Sequence, residues 1–125
     1  MLELYKLITS RLKELPYKVY NETIPQNRTF PFVVFKFNSV IDVESTREDV
    51  TITIDVWDKG KDVVRLQNIC SEIDKKLNRL QFNNKAISTN IYRMNPYLLN
   101  IPDPEEEIKH RQLRYITKNY EMEVI

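Results

Sequence analysis

The chain has 125 residues, the length of one compact domain, and its 42% hydrophobic content is enough to build a core. Its 30% charged residues nearly cancel to a net charge of +1, which argues against a general nucleic-acid or membrane-surface binder, since either needs a dominant basic field. The one cysteine, Cys70, excludes an intramolecular disulfide framework and fits a reducing compartment.

The opening residues Met1 to Lys6 carry an early carboxylate, Glu3, and charged Arg11, Lys13 and Glu14 follow. That pattern lacks the apolar segment of a signal peptide, and no apolar run approaches membrane-spanning length. The tripeptides Asn21-Glu22-Thr23 and Asn27-Arg28-Thr29 match the glycosylation sequon, which has meaning only in a secreted chain. The cytosol is therefore the expected setting.

In chain order, Leu4, Tyr5, Ile8, Leu12 and Leu15 recur at the spacing of one helix face, and Pro16 ends the helix. A short extended piece around Tyr17 to Tyr20 leads into a polar stretch, Asn21 to Pro31, that reads as an exposed loop. From Phe32 to Ile41 the β-branched and aromatic content predicts a strand, with Val33, Phe35, Phe37 and Ile41 on one face and Phe32, Val34, Lys36, Asn38 and Val40 on the other. A polar connection, Asp42 to Asp49, precedes the clearest alternation in the chain. There Val50, Ile52, Ile54 and Val56 interleave with Thr51, Thr53, Asp55 and Trp57, the signature of a half-buried strand pairing antiparallel with the one before it.

The only glycine, Gly60, lies in the turn Asp58-Lys59-Gly60-Lys61, and Asp62 is placed to accept from the first free N–H groups of a helix. Val63, Leu66, Ile69, Cys70, Ile73, Leu77 and Leu80 give that helix its apolar stripe. Beyond Asn83-Asn84, residues Ala86 to Met94 predict a strand. Tyr115 to Ile125 predict another, with Ile116, Tyr120, Met122 and Val124 alternating against polar residues. Between them, Asn95 to Arg114 carries three prolines and an acidic run, which reads as a long excursion of the kind that often carries function. The sum is an α+β domain over residues 1–125: a mainly antiparallel sheet of four to five strands with two helices packed on one face.

Val19-Tyr20, Phe30-Pro31-Phe32-Val33-Val34, the strand closing in Asp55-Val56-Trp57-Asp58, the helix through Leu77 and the basic turn His110-Arg111 follow one another in an order that resembles the tail-completion proteins. These are also called tail terminators or head–tail joining proteins, of long-tailed bacteriophages and prophages. The resemblance covers Tyr17 to the C-terminus and carries no catalytic motif. It implies a structural virion protein, assembled in the bacterial host cytoplasm and located in the virion tail. Such a subunit forms a ring, commonly six-fold, that caps the tail-tube protein and joins it to the head–tail connector protein.

A head-to-tail ring needs two unlike, complementary patches. An open sheet edge, the acidic run Asp103, Glu105, Glu106 and Glu107, and the basic cluster Lys109, His110, Arg111 and Arg114 are the candidates, with Trp57 at the end of its strand as a possible anchor. A plain solvated loop is the competing reading of the charge run.

No residue pattern points to catalysis, to a cofactor or to a metal. Cys70 lies on an apolar helix face, a Cys70–His110–Asp55 constellation has no support from spacing, and the acidic run lacks the glycine and ligand spacing of a calcium loop. Two other functions stay open. One is a nucleic-acid-binding module using Lys59, Lys61, Arg65, Lys75, Lys76, Arg79 and Lys85, partly offset by Asp62, Glu72 and Asp74. The other is a small enzyme using carboxylates with Arg111 or Arg114, without any phosphate loop or nucleophile elbow. If the acidic run is an interface, changing Glu105, Glu106 and Glu107 together to Lys abolishes self-assembly while the thermal midpoint stays put; sedimentation and a melting curve on the same sample check both halves.

Overall fold

The computed structural model describes residues 2–24, 26, 27, 29–44 and 46–121, the side chains of Glu44 and Glu121 excepted. The chain order is α1 (Leu2–Leu12), β1 (Lys18–Asn21), β2 (Phe32–Glu44), β3 (Arg47–Lys59), α2 (Val64–Leu77), β4 (Gln81–Asn83), β5 (Ile87–Ile101) and β6 (Ile108–Glu121). All strands join one sheet in the order β1-β2-β3-β6-β5-β4, antiparallel throughout except for the parallel pair β1 and β2. The α+β class agrees with expectation, but there are six strands rather than four to five. β1 is the extended piece after the first helix. β4, only three residues, is too short for alternation to register in sequence.

Alternation puts Val50, Ile52, Ile54 and Val56 of β3 on one face, each 1% exposed or less. Leu66, Ile69, Ile73 and Leu77 of α2 and Leu4, Ile8 and Leu12 of α1 join the same core, so both helices cover this inner face. Asp62 accepts from the Val64 N–H at 3.1 Å, one residue before the helix cap Val63. α2 stops at Leu77 rather than Leu80, because Asn78 takes an extended conformation (ψ 126°) and Arg79 after it a left-handed one (φ 64°).

Three expectations are corrected. The polar connection Asp42 to Asp49 is almost entirely strand: β2 and β3 continue as a hairpin arm to Glu44 and Arg47, because backbone pairing does not require an apolar face once the arm passes the core. An irregularity between Phe37 and Ser39 then moves Val40 to the inner side, opposite Val50, and Ile41 to the outer side, opposite Asp49. The excursion Asn95 to Arg114 is instead the meeting of two long strands, β5 and β6, joined by a turn over residues 102–107. Its Pro96 sits where β5 bulges between Arg93 and Leu98 and the β5–β6 ladder is interrupted, a place that tolerates proline's missing N–H. Of the predicted last strand, Met122, Val124 and the final residue Ile125 lie outside the described residues.

Asp74 ties α2 to the sheet, accepting from the Tyr115 hydroxyl at 2.8 Å and from Arg93 Nε at 3.1 Å. Burial pushes this carboxyl up, but the hydrogen bonds from Arg93 and Tyr115 and the Arg93 charge outweigh it and hold it below its ordinary 3.8. A depressed folded pKa gives stability that is complete above the ordinary value and is lost as pH falls through the folded one. Asp74→Asn is therefore expected to flatten the acid limb of the stability–pH curve below about pH 4, as urea midpoints at successive pH values will reveal. Ile54→Ala, in the centre of the core, is expected to cost about 3 kcal/mol, while Val43→Ala on the exposed arm stays within about 0.5 kcal/mol; chemical denaturation distinguishes the two.

Candidate functional site

Among the described residues, no helix covers the outer face of the sheet. Its end nearest the β5–β6 turn is built from β2, β3 and β6, whose register sets Phe32 opposite Trp57 and Trp57 opposite His110. The Trp57 ring is sandwiched, stacked on Phe32 at 5.0 Å and 13° and on His110 at 4.0 Å and 19°. Phe30 and Tyr20 extend the row onto Phe32. Both faces of Trp57 are thus occupied within the chain, and a stacked base finds neither available.

Beside this row, Asp55 is buried and accepts from Gln112 Nε2 at 3.0 Å, while His110 Nε2 lies 2.7 Å from the same carboxylate oxygen. Spacing does not announce this cluster, since 55 residues separate His110 from Asp55; the β3–β6 register, which places Asp55 opposite Gln112 and one same-face step from His110, brings them together. Cys70 is on the inner face, so the Cys70–His110–Asp55 arrangement is not assembled. Burial pushes its thiol up to about 11, which suits a small core side chain rather than a nucleophile.

The acidic turn is largely self-satisfied. Asp103 accepts from the Glu105 N–H at 2.9 Å, Glu105 lies 3.7 Å from Lys59 Nζ, the Glu106 carbonyl accepts from Lys109 Nζ at 2.9 Å, and the Glu107 carbonyl accepts from the Gly60 N–H at 3.0 Å. The basic cluster does not act as one patch. Strand alternation sends Arg111 to the inner side, opposite Val56, and Arg114 to the outer side, where it donates to the Pro96 carbonyl at 3.3 Å. Arg111 stands between two hollows of about 390 and 280 Å³ that run between α2 and the β5–β6 hairpin.

Of the basic stripe considered for nucleic acid, Lys59, Arg65 and Lys76 are engaged by carboxylates: Glu105, Asp58 and Glu14. Asp58 is pushed up by burial but held below its ordinary value by Arg65 and the Lys59 N–H.

The least satisfied parts of the molecule are its sheet edges. β1 covers β2 only from Phe32 to Phe35, where the Phe35 carbonyl accepts from the Glu22 N–H at 2.9 Å. β4 covers β5 only at Ser88 to Asn90, with the Arg79 to Leu80 backbone continuing to Ile91. Among the described residues, no strand lies along 36–44 of β2 on the side away from β3, or along 92–101 of β5 on the side away from β6. Of the nine large hydrophobics exposed among the described residues, Val40, Ile41, Val43, Tyr92 and Leu98 fall on these two stretches, where backbone groups lack strand partners.

Set against known proteins, the chain matches no family model and no curated sequence. Within the aromatic end, Asp55→Ala leaves His110 and Gln112 without their acceptor and is expected to cost about 1–3 kcal/mol, with a change in native-state Trp57 fluorescence as its environment opens. Urea unfolding followed by that fluorescence measures both.

Proposed function

We propose that this chain is a ring-forming structural protein of a long-tailed phage or prophage, which caps the tail tube and joins it to the head connector. The observation that carries the reading is the pair of bare, apolar-lined sheet edges on opposite sides of the sheet. A subunit with two unlike sticky edges associates head to tail, and a head-to-tail contact closes into a ring when the rotation per subunit closes. The order of strand, helix and turn signals from Tyr17 onward, which resembles the tail-completion proteins, is what assigns the ring to a tail end.

In that role the protein acts stoichiometrically, halting tube growth by covering its end and presenting the opposite rim to the connector. The expected result of disrupting its gene is a mixture of filled heads and unjoined, overlong tails in electron micrographs of the particles. Intact joined particles would contradict the assignment.

A further inference from the structure

The two bare edges match one another in length, polarity, facing and charge. Measured on the neighbouring strands, β2 lacks a partner from the level of Thr53 to that of Arg47, and β5 from the level of Ile116 to that of His110. These are equal spans of about 20 Å at the usual rise of a strand. β2 and β5 run in opposite directions within the sheet, so a second copy in the same orientation brings its β5 alongside β2 antiparallel. We infer that β2 of one copy pairs edge to edge with β5 of the next, over residues 36–44 and 92–101. This inference rests on the ring reading above and specifies its interface.

Laying the bare stretches over each other along their full length fixes the register. Val40, at the level of Val50, comes opposite Leu98 of the next copy, which sits at the level of Ile54 in its own sheet. Both residues are on the inner side and both are exposed in the single chain, at 45% and 37%. Asp42 comes opposite Arg93, again on the same side, so the arm brings a second carboxylate to a guanidinium that already holds Asp74. Ser39 meets Leu99 on the outer side, so inner residues face inner and outer face outer along the junction.

The β5 bulge at Met94 to Tyr97 falls opposite Ile41. The turn from Asp103 to Glu107 reaches the β1 end of the neighbour, where Lys18 and Lys36 are exposed.

The same register sets the geometry of the ring. Each copy is displaced along the strands by four residues relative to the last, Val50 against Ile54, which is about 14 Å. It is displaced sideways by the four strands β2, β3, β6 and β5, about 19 Å at the usual strand spacing. The resulting strand tilt is about 36°, within the about 35–45° at which sheets close into barrels. A junction without stagger would give a flat, open ribbon.

Two variants test this on the whole chain. Val40→Lys spoils only the β2 edge and Leu98→Lys only the β5 edge, both at exposed positions that leave the melting curve unchanged. In sedimentation at high protein concentration the wild type is expected to form rings and each variant alone to stay monomeric. A one-to-one mixture of the two is expected to form a heterodimer that grows no further, through its single intact junction. Variants that build rings as the wild type does would overturn the edge pairing while the ring reading stands. Dimers of Leu98→Lys alone would overturn it in favour of a two-fold β2-to-β2 contact. A wild type that stays monomeric at every concentration would remove the ring reading and this interface together.

Discussion

The pairing of β3 with β6, unbroken from Arg47 opposite Tyr120 to Lys59 opposite Ile108, is the constraint on which the remaining structure depends. Because side chains alternate along both strands, this ladder sorts the molecule into two chemistries. Val50, Ile52, Ile54, Val56, Leu113 and Tyr115 face the helices and supply the central rows of the core. Asp55, Trp57, His110 and Gln112 face the other way and contact one another. A slip of one residue in this register would exchange the two rows and bury Asp55 among the helices, so register and fold are specified together.

Elements were legible in the sequence where burial imposes a period. The inner row of β3 and the stripe of α2 announced themselves because each packs against a dry core along one face. Legibility failed where strands leave the core. From Asp42 to Asp49 and from Asn95 to Arg114 the backbone remains paired while the side chains meet solvent, so composition there resembles a loop although hydrogen bonding keeps it strand. The bulges near Asn38 and Pro96 reversed or interrupted the alternation, which is why Val40 and Ile41 were assigned to the wrong faces. Among the candidate interface residues, the acidic run sits on a turn as its composition suggested. Lys109 to Arg114 are divided between faces by an alternation that a loop assignment conceals.

The unpaired edges connect this architecture to function. A soluble chain ordinarily protects its sheet edges with prolines, charges or covering segments, because bare edges invite association. Here β1 and β4 each cover a third of an edge or less, on diagonally opposite corners, and the uncovered stretches carry exposed apolar residues such as Val40, Ile41 and Leu98. Protection of that partial, directional kind excludes the less staggered antiparallel registers, since these would set a bare stretch against the end of a covering strand. It is compatible with subunits that remain separate until concentration or a tail end brings them together, with binding free energy drawn from backbone hydrogen bonds and a narrow apolar strip rather than from a broad hydrophobic face.

The most direct measurement of the central claim is amide hydrogen exchange of the chain compared between dilute and concentrated solution. The account predicts that protection gained on assembly is confined to residues 36–44 and 92–101, with the β3–β6 ladder already protected in the single chain. New protection confined to the helices, or to the outer face around Trp57 and His110, with both edges exchanging as before, would contradict it.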